Sequence, residues 1–217
     1  MLFPRKSDRI FFIPYLGGVA SPSLRQGANI LQNLLIMPSW FRFIWSGKFQ
    51  LVVYLLLALL ISGQSLQRGS KTFVEGGASY THYNNYQIFK HAFHHLVDGK
   101  DLYRTHPEDH FDLYKYSPGF AVFMSVFSLL PDGVGLALWN LLNALLLFWA
   151  IHALPRLPDR HKQLIGWLVL LELIGSLQNS QSNGLMAGLL LGAFVFLERR
   201  RDWLGTLLLV LSVFIKL

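Results

Sequence analysis

Between Thr81 and Pro118 the chain gathers the side chains that could do chemistry. The run THYNNYQIFKHAFHHLVDGKDLYRTHPEDHFDLYKYSP holds six of the eight histidines, so any proton or anion work is concentrated here. A carboxylate can take the proton of an attacking hydroxyl, and cations can hold a leaving phosphate. Asp101 and Asp112 are the candidate bases, ahead of Glu75, Glu108 and Asp109. Asp112 stands three residues before Lys115, just ahead of a Ser-Pro pair that introduces apolar sequence. His82, Lys90, Arg104 and Lys115 are the candidate anion partners. Each has a plain alternative: a loop acid or helix cap for the carboxylates, a solvated or headgroup-facing side chain for the cations. His91 and His95 are spaced i, i+4, which can set two metal ligands on one helix face. The sequence shows no obvious third ligand and no His-Glu-x-x-His pattern, so they read as polar-face histidines, with no metal and no cofactor implied.

These residues are embedded in a chain built for lipid. Of 217 residues, 53% are hydrophobic and 14% charged, with mean hydropathy +0.38; a soluble domain carries roughly 25% charged residues. The absence of cysteine excludes disulfides, thiolate metal sites and cysteine nucleophiles. The net charge of +7 fits cytoplasmic lysines and arginines of a membrane protein. Nucleic acid is not an expected partner, because no basic face carries interleaved exposed aromatics.

The chain divides at about residue 48. Residues 1–48 form a cytoplasmic or membrane-surface segment with Arg5, Lys6, Arg9, Arg25, Arg42 and Lys48 against Asp8 alone; within it Ile30–Ile44 is suited to lie on the bilayer surface. Residues 49–217 form the transmembrane domain. Its first span is expected over Phe49–Leu66, and an external loop over 67–133. Inside that loop Asn85–Val97 reads as an amphipathic helix, with Tyr86, Phe89, Phe93 and Leu96 on one face and Gln87, Lys90, His91, His94 and His95 on the other. Gly99 can take the left-handed conformation that ends a helix. Further spans are expected at Val134–Leu154, Leu164–Leu177, Gly184–Leu197 and from Trp203 on.

The short apolar segment Gly119–Leu130 decides the topology. As a helix it is about 18 Å long at 1.5 Å per residue, less than the ~30 Å hydrocarbon core. If it lies flat, the basic clusters 156–162 and 199–201 fall together inside, and the polar hexad Gln178-Asn179-Ser180-Gln181-Ser182-Asn183 falls outside beside the large loop. That arrangement obeys the positive-inside rule. The reading is an all-α polytopic membrane helix bundle with five spans, a cytoplasmic N-terminus and two non-spanning helices outside. Glu172, in mid-span, reads either as a functional acid or as a structural one, paired with His152 or Lys216 or else protonated, and Asn140 and Asn143 are expected to bond between helices.

The order of several short elements resembles the GT-C superfamily of membrane glycosyltransferases, and within it glycosyltransferase family 87, the polyprenyl-phosphate-mannose-dependent mannosyltransferases. Asn85-Tyr86 stands where the family has an acid-aromatic pair. Gly99 with Asp101-Leu102-Tyr103 resembles its Gly-x-x-x-Tyr helix ending, and Tyr114-Lys115-Tyr116-Ser117-Pro118 its tyrosine-proline lead into the second surface helix. Leu130-Pro131 and Leu138-Trp139-Asn140-Leu141-Leu142-Asn143 resemble the next turn and span. The 178–183 hexad is similar to a Gly-Gln-x-Asn motif, with Ser180 where glycine is usual. The resemblance runs from about Tyr80 to Leu217.

It implies transfer of a sugar, mannose or a related hexose, from a polyprenyl-phosphate donor to a glycan or lipid acceptor at the extracytoplasmic face of a bacterial inner membrane. His82, Asn85, Lys90, Lys115, Tyr116, Gln178, Gln181 and Asn183 are then substrate-binding candidates. The family's loop aspartate aligns with Asn85, and an amide cannot take a proton at neutral pH, so either another carboxylate, Asp112 or Asp101 first, serves as base or the chain is not a standard catalyst. The chain stops inside its fifth expected span, and a truncated domain, inactive alone, is the matching expectation. The alternative class is a non-enzymatic membrane protein, either a transporter part or an inactive remnant of the enzyme.

Overall fold

The computed structural model describes residues 43–74 and 77–216. The expected surface segment Ile30–Ile44 lies almost wholly outside the described residues, as does Glu75. Within them the chain is all-α apart from one small hairpin. Helix α1 (Gly47–Gln67) is followed by strands β1 (Ser70–Thr72) and β2 (Ser79–Thr81), then α2 (Asn84–Val97), α3 (Pro118–Phe123) and α4 (Ser125–Ser128). Helices α5 (Asp132–Ala153), α6 (Asp159–Gln178), α7 (Asn183–Glu198) and α8 (Asp202–Ile215) complete the bundle.

Two helices, α1 and α5, are long and apolar enough to cross a bilayer on their own. The other three expected spans are weaker by this measure. Helix α6 has 20 residues but carries Asp159, Arg160, Lys162 and Glu172, whereas α7 and α8 have 16 and 14 residues. At 1.5 Å per residue the last two reach about 21–24 Å, so they complete a bundle around α1 and α5.

Local chemistry explains most helix ends. Ser46 caps α1 by accepting from the Phe49 amide at 3.1 Å, and Ser117 caps α3 through the Phe120 amide at 3.2 Å, with Pro118 in the first turn. Gly99 ends α2 at φ +68°, and the Lys100 amide reaches back to the His95 carbonyl at 2.8 Å, which is the Schellman arrangement. The Gly119–Leu130 segment is two short helices broken at Met124, not the single flat helix expected. The β1–β2 hairpin pairs Ser70 with Thr81 and Thr72 with Ser79. It was not anticipated, because three-residue polar strands lack the alternation that marks a half-buried strand.

The bundle is held by small residues and amides. Gly184, Gly188 and Gly192 let α7 approach α5: a Cβ at Gly188 would lie 3.0 Å from the backbone of Leu146 and Leu147. Close approach over small residues is the usual way helices associate in lipid. Asn140 donates to Ser62 Oγ on α1 at 2.9 Å. Asn143 accepts from the Leu185 amide at 2.8 Å, satisfying one of the donors left open at the α7 N-terminus. Both asparagines bond between helices, as expected.

Glu172 behaves otherwise. It is exposed on the flank of α6, while His152 stacks on Phe148 at 4.0 Å and Lys216 lines a polar cavity at the loop end of the bundle; neither forms an ion pair with it among the described residues.

The two ends of the bundle differ in chemistry. At one end Arg156 pairs with Glu198 at 2.9 Å and Arg199 donates to the Ala153 carbonyl at 3.1 Å. At the other, Asn85 donates to the Asn179 carbonyl at 2.8 Å and Trp139 to that of Ser180 at 3.0 Å. Both basic clusters therefore share one end, and the large loop and the 178–183 hexad share the other. This is the arrangement in which the 119–130 segment does not cross.

Candidate functional site

The site is built on α2. Its apolar face packs inward, with Phe89 meeting Trp139, Phe120 and Tyr116 edge-on at ring-centroid distances of 5.6, 5.2 and 5.0 Å. Its polar face does not look out to solvent as the periodicity suggests. Gln87 and Lys90 each reach Asp132, at the start of α5, at 2.6 Å, and Tyr83 joins them at 3.2 Å. His95, with only 2% of its surface exposed, turns toward the 98–117 loop. Helix α2 is thus clamped from both sides, which an amphipathic pattern alone cannot reveal.

The loop is clamped in turn. Asn84 donates to the Phe111 carbonyl at 2.8 Å and accepts from the Phe111 amide at 2.9 Å, fixing the bend that leads into Asp112. Asp112 itself sits at φ +74°, a left-handed conformation that aspartate tolerates better than most residues. Its carboxylate accepts from the Leu113 amide at 2.7 Å and pairs with Lys115 Nζ at 2.7 Å. The Lys115 hydrogen bond holds the Asp112 carboxyl below its ordinary range, against a smaller opposing push from burial.

Around this pair lies a cavity of about 280 Å³ lined by Asn85, Asp112, Lys115, Tyr116, Gln181 and Asn183, together with Ile88, Phe89, Leu113 and Lys216. Six residues singled out from the sequence meet here. Asn183 donates to Gln181 Oε1 at 2.8 Å. Burial pushes the Tyr116 phenol up.

Other candidates are placed elsewhere. Asp101 is half exposed, pairs with Arg104 at 3.2 Å and does not line the cavity. Lys90 is committed to Asp132, and neither His82 nor Gln178 lines the cavity. Lys216 does line it, although its place in the last apolar run pointed to hydrocarbon.

A second cavity of about 230 Å³ is almost wholly apolar, lined by Gly119, Phe120, Phe123, Leu185, Leu189, Leu211, Phe214 and Ile215. Ile215 and Lys216 are consecutive, so the polar and apolar cavities are neighbours across the end of α8. The Ser117 hydroxyl bonds the Phe214 carbonyl and ties that end to the cap of α3.

The turn after α6 supplies the last piece. Ser180 has φ +51°, its amide bonds the Leu177 carbonyl at 2.9 Å and the Gln181 amide bonds that of Ser176 at 2.9 Å. This is again the Schellman arrangement, whose left-handed position favours glycine. Here the position that aims Gln181 and Asn183 at the cavity is held by serine.

Over residues 114–217 the chain matches the model of glycosyltransferase family 87. The match supports this family for that segment. The family indicates a membrane glycosyltransferase. The family 87 segment carries Lys115, Tyr116, the 178–183 turn and Lys216 of the polar cavity, and every residue of the apolar one; Asn85 and Asp112 precede it. No curated protein and no solved structure matches the chain.

Further along α2, outside the cavity lining, His91, His95 and Asp109 bring one ligand atom each within 4.8 Å of one another. His110 is also buried, and desolvation pushes its imidazole down to about 4. The sequence signal for His91 and His95 was their i, i+4 spacing; Asp109 is joined to them only by the folding of the loop.

Proposed function

We propose that this protein transfers a sugar, mannose or a related hexose, from a polyprenyl phosphate to a glycan or lipid acceptor at the external face of a bacterial inner membrane. In this reading the N-terminus is cytoplasmic and residues 49–217 are the GT-C-like transmembrane domain. One observation carries it: a polar cavity with a carboxylate and two lysines adjoins an apolar cavity at the end of α8. A lipid-linked sugar phosphate has the same division, with a charged head and a hydrocarbon tail.

Asp112 is the base. It takes the proton of the acceptor hydroxyl as that oxygen attacks the anomeric carbon, and the sugar–phosphate bond breaks. Lys115 and Lys216 hold the departing phosphate, whose charge grows in the transition state. Lys115 couples the two events: when it turns to the donor phosphate it releases Asp112, and the carboxylate regains basicity. Asn85, Gln181 and Asn183 offer hydrogen bonds to sugar hydroxyls, and Tyr116 an aromatic face. The isoprenoid tail lies in the groove between Phe123, Leu189 and Phe214.

Asn85, an amide where an aspartate is usual, favours one other reading, a non-enzymatic remnant of the family. The test uses the full-length protein in membranes with a labelled polyprenyl-phosphate mannose. Donor-dependent transfer that is lost in Asp112→Asn supports the enzyme. Absence of transfer by a well-expressed protein, across several polyprenyl-phosphate hexoses and with native membranes as acceptor, supports the remnant.

A further inference from the structure

The structure assigns a divalent transition-metal site of the zinc class to His91, His95 and Asp109, which clips the external loop to α2. The two histidines project from successive turns of α2. Asp109 approaches from the loop, its Oδ2 at 2.8 Å from His95 Nε2 and its Oδ1 at 3.5 Å from His91 Nδ1. A tetrahedral zinc with bonds of about 2.0–2.1 Å keeps its ligand atoms roughly 3.3 Å apart. The three groups, all within 4.8 Å of one another, reach that spacing with side-chain movements of about an ångström. Two imidazoles and one carboxylate are a donor set that zinc accepts, with the fourth position left to water.

Hydrogen bonding alone accounts for less of the arrangement. The His95–Asp109 contact is a good hydrogen bond, but His91 faces the same carboxylate at a distance too long for one. The two neighbouring histidines have other work: His106 bonds the Asp101 carbonyl at 2.9 Å, and His110 bonds the Asp112 carbonyl at 3.1 Å. His106 also lies against His95, the rings tilted at 34° with centroids 3.8 Å apart, closing one side of the site.

The consequence is positional. Asp109 is three residues before Asp112, and Phe111 between them is held by Asn84. An ion at this site anchors the loop at its second point and sets where the Asp112–Lys115 pair stands. His91, His95 and Asp109 do not line the polar cavity, so their role is structural and independent of the transferase reading.

The experiment uses the full chain purified in detergent, stripped with a chelator and dialysed against zinc or cobalt. Bound zinc is counted by plasma mass spectrometry, the cobalt form is read by its visible d–d bands, and thermal unfolding is followed with and without chelator. The expected result is about one zinc per chain, a tetrahedral cobalt spectrum and an unfolding midpoint lowered by chelator. His91→Ala and Asp109→Asn each weaken zinc binding by at least about ten-fold, the loss that even outer-shell changes cause, while Glu108→Gln leaves it unchanged. His91 is partly exposed, so its variant reports even if a change at buried His95 prevents folding. No stoichiometric zinc in the parent, or zinc retained by both His91→Ala and Asp109→Asn, overturns the assignment.

Discussion

Lys115 Nζ lies 2.7 Å from Asp112 Oδ2, and both side chains line the polar cavity. The lysine is the chief reason that the Asp112 carboxyl sits below its ordinary range. If the proposed transfer holds, Asp112→Asn is expected to lower turnover by about 10²–10⁴, the usual span for a general base, and Asp101→Asn to cost less. Lys115→Met removes the main cause of the depression, so the acid limb of the kcat/KM profile moves to higher pH. The stability sign is the opposite of a histidine's. The folded pKa is depressed, so the pair's contribution is present above the unfolded value and lost as pH falls through the folded one. Both partners are about half exposed or more, which keeps that contribution within about 1 kcal/mol. Unchanged turnover in Asp112→Asn at normal expression would remove Asp112 from the mechanism.

Ser180 offers a gain of stability. It holds the left-handed position of the turn after α6, at a cost of roughly 1–2 kcal/mol for a residue with a side chain. Its buried hydroxyl has no hydrogen-bond partner, which adds to the cost. Ser180→Gly removes both penalties and leaves the carbonyl that accepts from Trp139 in place. We expect the thermal midpoint in detergent to rise, with transfer activity retained. A fall in the midpoint would mean that the turn needs the serine side chain.

The contrast between Ser180 and Lys216 shows what was legible in the sequence. The hexad stood out because a polar run between two apolar ones cannot be buried in lipid, and its place beside the loop followed from charge. Asn85, Asp112, Lys115, Tyr116, Gln181 and Asn183 converge because each lies at an element end on the loop side of the bundle. Lys216 was hidden inside an apolar run, where hydropathy points to lipid; only the packing of α8 against α7 and α3 brings it to the cavity. Asp132 and Asp109 were hidden for a related reason. Their partners lie 42 and 14 residues away, and no local period records such a contact. The expected pairing of Glu172 failed because helix period alone does not say which side of α6 faces the bundle.

Helix α7 gives a test of packing. A Cβ at Gly188 would stand 2.8 Å from Leu146 Cγ and 3.0 Å from two backbone atoms of α5. Backbone cannot yield as a side chain can, so Gly188→Ala forces the helices apart, at about 1–3 kcal/mol as for other overpacked cores. Gly175 on α6 has open space at the same position. Gly175→Ala should be neutral or stabilising, since alanine exceeds glycine in helix propensity by about 1 kcal/mol. Comparing the two unfolding midpoints separates packing from propensity; equal effects would deny that α5 and α7 meet at Gly188.

The topology makes the last prediction. The start of α1, the turn between α5 and α6, and the turn between α7 and α8 share one end, as Gly47 against His152 and Arg156 against Glu198 show. The loop and the hexad share the other, joined by Asn85 and Asn179. Arginine-rich turns stay on the cytoplasmic side during insertion because moving them across is costly. Helices α3 and α4 together cover only 10 residues, about 15 Å at 1.5 Å per residue, so they cannot reverse that sidedness by crossing. In a protein otherwise free of cysteine, single substitutions report without background. Arg160→Cys and Arg200→Cys should be shielded from an impermeant thiol reagent in intact cells and react once the membrane is opened. Glu108→Cys, 60% exposed on the loop, should react in intact cells. Labelling of Arg160→Cys in intact cells would place the basic end outside and reverse the proposed face of catalysis.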